Sequence, residues 1–359
     1  MAEEYLAIYE EDVRGTPPAS PDYLFLPVHG NLQPRFEPTD EPRKEYRGID
    51  TALGDFDVVR RMVQWSHTLE FYDRPIKAVG LLLKHALGYA GARAVVDTTA
   101  RRGILYPHRM PFGDGPLGSK AIALVANTSE GGVTKAQTFG GGRITGATLS
   151  FEESGDVKWS LEIKGSWVGT PDQVALTPSM PAITPFNAAD VLCFIGAGAA
   201  RTGTAPNYTN IAQGSMQQFG PDSVTITVTN GLDDKFVRDG APGPNKTHRS
   251  EQFNVEVACP IDYEDPSSGF SSADEFKRLF AGVATQSLMF VMQHPDTAGS
   301  TDEKYRRVID IPRVQLGADP PERSVDGLTP TVTFNYTRLL DATIKVPLLI
   351  MSTDQEEAY

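Results

Sequence analysis

The chain has 359 residues, 40% of them apolar, and a formal charge of −13 from 33 Lys and Arg against 46 Asp and Glu. That length leaves room for two ordinary domains, and the apolar fraction excludes wholesale disorder. The acidic balance argues against a protein that grips nucleic acid by its phosphates, which needs clustered cations. The 33 Gly and 27 Pro are spread along the sequence, as expected for many turns between short strands. Cys193 and Cys259 lie far apart in apolar runs and read as buried thiols, not as a disulfide framework. The opening Met-Ala-Glu-Glu-Tyr5 predicts no secretion signal, so the Asn-x-Thr/Ser triplets at Asn127, Asn207, Asn245 and Asn335 carry no expected modification. No apolar run approaches the roughly 18 to 20 residues that span a bilayer.

In chain order, Tyr5–Ile8 opens the first half, a Gly15-to-Pro21 turn cluster follows, and Tyr23–Val28 reads as a strand. Residues 33–55 form a long polar arm, and its prolines exclude a central strand. Trp65–Tyr72 is extended and leads into a helix over Ile76–Leu87. Asp73 is the expected cap, Gly88 the expected stop, and Lys77 and Lys84 the expected solvent face. His85 reads as an ordinary helix-end residue. Ala121–Asn127, Arg143–Phe151 and Asp156–Val168 read as strands. In the last, Trp159, Leu161 and Ile163 alternate with Lys158, Ser160, Glu162 and Lys164, which implies one buried and one wet face. Residues 169–185, rich in proline, are the expected linker.

The second half repeats this order. Val191–Ile195 and Val224–Thr229 read as strands, Asn230-Gly231 as a turn, and 233–251 as a second polar arm. Phe253–Asp262 is extended and leads to a helix opened by the capping box Ser272-Ala-Asp-Glu275. Ser287–Gln293, Tyr305–Ile311, Thr331–Tyr336 and Ala342–Ile350 read as strands, and Asp354–Glu357 as a frayed end.

Chemistry-bearing patterns are weak. The histidines at 29, 67, 85, 108, 248 and 294 are scattered, without metal-ligand spacing. Gly140-Gly-Gly142 lacks the Lys-Ser/Thr of a phosphate loop and reads as a turn entering the strand at Arg143. No nucleophile elbow is present. Glu152, Glu153 and Asp156 sit at a hairpin tip, where acids are usually solvated. No enzyme, cofactor or metal is expected.

The opening Tyr5-Leu-Ala-Ile-Tyr-Glu10 with Arg14-Gly-Thr-Pro-Pro18 resembles tail tube proteins of long-tailed bacteriophages. So do the order of strand, arm, strand, helix (Ala78–Gly88) and hairpin, and the closing runs Ser287–Val291, Val308–Pro312 and Pro330–Asn335. The resemblance implies a mainly β chain of two similar tube domains, 1–175 and 176–359, each with two packed antiparallel sheets and a flanking short helix. It implies a structural virion subunit whose rings stack into a hollow tube for genome delivery. Because the domain is doubled, three copies would give a pseudo-six-fold ring. It further implies contacts with tape measure, terminator and tip proteins, a tail location after assembly in the host cytoplasm, and DNA passing through the bore without specific binding.

Mixed charges suit the arms to contacts between subunits or rings. The expected residues are Glu37, Asp40, Glu41, Arg43, Lys44 and Arg47 in the first arm, and Lys235, Arg238, Asp239, Lys246 and Arg249 in the second. Residues 89–118 have no counterpart in the second half. The alternative is another virion or surface β-sandwich module, for decoration or carbohydrate binding, which predicts grouped exposed aromatics.

Overall fold

The computed structural model describes residues 5–42, 58–107 except 89, 92 and 98, 120–235 except 131, 132, 153, 171, 172, 181 and 206, 246–316 except 250, 281–284, 300 and 301, 323–324, and 331–359. The mainly β expectation is met. The first half holds β1 (Tyr5–Glu11), β2 (Leu24–Pro27), β3 (Arg35–Pro42), β4 (Val58–Tyr72), α1 (Lys77–Leu87), β5 (Ala94–Val95), β6 (Arg101–Leu105), β7 (Ala121–Glu130), β8 (Val133–Glu152), β9 (Lys158–Gly165), β10 (Trp167–Val168) and β11 (Gln173–Val174). The second holds β12 (Val191–Gly196), β13 (Ala200–Thr204), β14 (Asn207–Ala212), β15 (Gln217–Phe219), β16 (Ser223–Thr229), β17 (Leu232–Lys235), β18 (Lys246–Arg249), β19 (Asn254–Asp262), α2 (Ser272–Phe280), β20 (Thr285–Thr297), β21 (Lys304–Leu316), β22 (Arg323–Ser324), β23 (Thr331–Arg338) and β24 (Leu349–Asp354).

Hydrogen bonding follows the same plan twice. β1 lies between β2 and β7, and β7 pairs with β8, β8 with β9, and β9 with β4. Correspondingly, β12 lies between β15 and β20, and β20 pairs with β21, β21 with β23, and β23 with β19. β4 then takes β3 on its other side, as β19 takes β16. Each half therefore has an outer sheet and a share of one long sheet, with a helix flanking the core. The long sheet runs β3-β4-β9-β8-β16-β19-β23-β22, antiparallel throughout.

One strand serves both layers. The N-terminal part of β8 pairs with β7, β10 and β11 in the outer sheet, and its C-terminal part pairs with β9 and β16 in the long sheet. Gly140–Gly142 sit at the crossing. Gly141 takes φ 67, and a side chain at Gly140 would collide with the Trp167 indole. The Trp65 indole N–H donates to the Gly140 carbonyl (2.8 Å). The glycines thus make a corner inside a continuous strand, not the expected turn, because two tryptophans need the backbone bare there.

A main core spans both halves, from Leu6, Trp65 and Leu161 to Val257, Phe290 and Phe334. Along α1, Val79, Leu83, Ala86 and Leu87 are buried as the spacing predicts, and Gly88 closes the helix at φ 99. Other expectations need correction. Asp73 does not cap α1; it is fully buried and accepts from the Trp159 indole N–H (3.0 Å). Lys84 does not face solvent, and His85 is no ordinary helix end. Lys84 is half-buried and His85 buried against Glu10, at 2.9 and 3.0 Å. In the second half the cap is Ser271, whose hydroxyl accepts from the Asp274 N–H (3.0 Å). Ser272 instead donates to the Asp262 carbonyl, and Glu275 is buried where the Tyr336 hydroxyl donates to it (3.2 Å).

The chain's last turn also differs. Residues 342–348 form no strand, because the Asp341 carboxylate accepts from the Thr343 and Ile344 N–H groups (2.8 Å each) and Lys345 adopts φ 64. The strand begins at Leu349 and pairs with β21 and β6 instead of closing a hairpin with β23. The end does not fray. Asp354 is held by Arg93 at 2.6 Å, and the Arg93 guanidinium lies 4.3 Å from the centre of the Tyr359 ring.

Candidate assembly site

The two arms are built alike. β3 pairs with β4 from Arg35↔Ser66 to Pro42↔Val58, and β17 pairs with β18 from Leu232↔Arg249 to Lys235↔Lys246. Both are antiparallel hairpins, the first at the end of the long sheet and the second a separate pair of strands, where the sequence reading has polar loops. Pro34, Pro38 and Pro42 read as loop formers, yet β3 is a strand that holds Pro38 and Pro42 because it lies at a sheet edge. Of the expected contact residues, Glu37, Asp40 and Glu41 lie on β3, Lys235 on β17, and Lys246 and Arg249 on β18. Arg43, Lys44, Arg47, Arg238 and Asp239 lie outside the described residues.

The long sheet has two ends. From Phe36 to Pro42 the outer edge of β3 meets no other strand among the described residues, and Phe36 is 43% exposed. At the other end β22 pairs with β23 alone among the described residues. Between them the halves meet at β8 and β16, over seven residues from Ser223↔Glu152 to Thr229↔Gly146. This junction joins a β3-type strand, β16, to the far end of a β8-type strand. It is the contact that the open ends lack.

Side chains lock the junction. Asn230 is buried, and its amide donates to the Ala86 carbonyl at the end of α1 (2.5 Å) and to Ile144 (2.9 Å). Arg307 of β21 reaches Asp73 at 3.1 Å, with both side chains almost wholly buried. Burial pushes the Asp73 carboxyl up, against the Arg307 charge and the Trp159 N–H, which favour the anion. β6 crosses over to pair with β24, so part of the stretch 89–118 completes the second half's outer sheet. Glu10 gathers Lys84, His85 and Lys120. Burial alone would raise the Glu10 carboxyl, but hydrogen bonds from His85, Lys120 and Lys84 hold it well below the usual carboxylate range. Burial lowers His85 to about 4. A neutral His85 fits, donating from Nε2 to Glu10. The sequence holds no signal for this cluster beyond Glu10 and the helix spacing.

Open strand edges of this kind suit association. Cys193 and Cys259 are buried, and burial pushes the Cys193 thiol up to about 12, which leaves it unreactive. No group of three or more metal-ligand side chains is gathered among the described residues. No helix among them is long and apolar enough to cross a membrane. No curated protein matches the chain. The sequence model of the family described as phage tail tube protein matches residues 2–337. Nothing found favours a decoration or carbohydrate-binding module instead. The protein therefore belongs to the phage tail tube family: it is a structural component of the virion tail, a subunit that self-assembles into the tube.

Proposed function

We propose that three copies close into one ring of six tube domains, 1–175 and 176–359 from each chain, and that rings stack into the conduit through which the genome leaves. The observation that carries this is the β8·β16 junction, which pairs a strand of the first half with one of the second edge to edge inside the chain. The same contact made between copies would set the β3 edge of one against the β22 end of the next and leave no open edge. Eight strands of the long sheet per chain give about 24 in such a ring. At a spacing of about 4.8 Å and a tilt of about 40°, that barrel is roughly 45–50 Å across at the backbone.

The hairpin arms then reach the neighbouring subunit or ring, and their mixed charges set the register. The tape measure protein occupies the bore before the genome, terminator and tip proteins close the ends, and assembly takes place in the host cytoplasm. This role requires no reaction of the subunit. Deleting residues 37–50 tests the reading. The expected product is a folded subunit that does not polymerise, and normal tubes in electron micrographs would sink the proposal.

A further inference from the structure

The repeated plan can be followed residue by residue. β7 and β20 are bulged at the same point, between Ile122 and Leu124 against β8 and between Gln286 and Leu288 against β21, so Gly142 and Val314 are counterparts. Along the ladders from that mark, Lys164 of β9 answers to Thr337 of β23, and Ser66 of β4 to Glu256 of β19. Arg35, Phe36 and Glu37 of β3 then fall in the places of Thr227, Val228 and Thr229 of β16. Pro34 and Pro38, on either side, answer to Ile226 and Asn230. By the same count Arg323 of β22 answers to Leu149 of β8, which Ile226 faces.

These edges are alike in register and unlike in what they offer. The Asn230 N–H donates to the Thr145 carbonyl of β8 at 2.9 Å, so Val228 and Ile226, at alternate positions back along the strand, turn their N–H groups the same way. The corresponding positions in the first half are Pro34, Phe36 and Pro38, and a proline has no N–H. The side chains differ as well. Val228 is 3% exposed at the junction, while Phe36 in its place is 43% exposed.

We infer that Phe36 anchors the β3 edge to the next copy of this chain, as both backbone donor and apolar side chain, and that Pro34 and Pro38 close that edge to any longer strand. The inference rests on the ring reading above. The seam between copies cannot repeat the junction within the chain bond for bond. Of the donors that β16 turns to β8 at Ile226, Val228 and Asn230, only the counterpart of Val228 survives in the first half. What fits a single donor between two prolines is a short strand, and the opposite end of the long sheet supplies one. β22 is Arg323–Ser324, and Pro34 falls opposite Arg323 of the next copy. An edge with every donor present pairs with any exposed strand, including another copy of itself. Two missing donors remove that option, and an aromatic side chain left in water between them favours a partner that covers it. The subunit thus carries an edge selective for the far end of its own long sheet.

Two variants of the full chain separate the anchor from the gate. Phe36→Ala should leave the melting temperature of the free subunit unchanged and lower ring yield in electron micrographs about tenfold. Pro34→Val with Pro38→Thr restores the donors and should give irregular aggregates in light scattering at concentrations where the wild-type subunit stays dispersed. The register is read with Arg35→Cys and Ser324→Cys in one chain and a short bis-maleimide. Within a chain the two positions stand at opposite ends of the long sheet, roughly 34 Å apart at about 4.8 Å per strand. A link therefore forms only between copies, and closed rings should run as covalent trimers. Cys193 and Cys259 are buried and do not compete. Wild-type ring yield from Phe36→Ala overturns the anchor, and a P34V/P38T chain as dispersed as wild type overturns the gate. Rings of the double-cysteine chain that yield no link overturn the pairing with β22. A wild-type chain that forms no rings at all brings down the ring reading instead, and this inference with it.

Discussion

β16 and β3 each flank the strand that leads into their half's helix, yet among the described residues one is covered on both sides and the other on one. Their sequences differ accordingly. Ser-Val-Thr-Ile-Thr-Val-Thr alternates buried and exposed residues without a proline, while β3 carries Pro38 and Pro42. A central strand must offer every N–H to a neighbour, whereas an edge strand can lose those that point away. In the proposed ring, the difference means that the chain keeps one copy of the assembly contact permanently made.

Breaking each strand in turn gives the largest contrast. Thr227→Pro in β16 removes a donor between two strands and should unfold the chain or destabilise it by about 3 kcal/mol or more in urea titration. Phe36→Pro in β3 lies two residues from the tolerated Pro38, so its N–H shares that outward direction. It should leave urea stability within about 0.5 kcal/mol of wild type and reduce tube yield in sedimentation. Equal stability losses would mean that the two edges are not counterparts.

Next in size is the lock between the halves. Arg307→Met strands Asp73 in the core and should cost about 3–5 kcal/mol, partly recovered by adding Asp73→Asn. Recovery is the informative outcome, because simple loss of packing predicts none.

Acid should act on the first half through Glu10 and His85. Burial lowers folded His85 to about 4 from 6.5, so the unfolded chain takes up a proton that the folded one refuses as pH falls between those values. Stability present above 6.5 is therefore lost on acidification, by up to about 3 kcal/mol at pH 4. Protonation of the depressed Glu10 carboxyl acts in the same direction, its contribution being lost as pH falls below the usual carboxylate range. His85→Gln keeps a donor for Glu10 and should flatten the melting temperature over that interval; an unchanged slope contradicts the assignment. Asn230→Ala should cost less than the Arg307 change, about 1–2 kcal/mol, since it frees the Ala86 and Ile144 carbonyls near the junction.

Legibility in the sequence followed periodicity. β9, β16 and β23 were readable because one wet face and one dry face force alternation. α1 was readable for the same reason at helical spacing. The arms read as polar loops and their hairpin bases are not legible, since prolines and mixed charges look the same in a loop and in an edge strand. Asp73 reads as a helix cap and Glu275 as the acid of a capping box, and neither serves as one. A carboxylate near a helix start looks alike whether it bonds the backbone or a buried Trp159 or Tyr336 reached from far along the chain. The charged residues of the arms can be named from the sequence. The edges cannot, because an edge is defined by which strands meet and not by which residues they hold.

The pairing of β6 with β24 has a consequence in time. Leu105 must wait for Ile350, and Arg101 for Asp354, before that ladder can form. At translation rates of about 5–20 residues per second, β6 leaves the ribosome on the order of 10–50 s before its partner. Such long-range pairing is intrinsically slow to form and leaves a strand edge uncovered meanwhile. The nascent subunit is thus most prone to mispairing while its final strand is still being made.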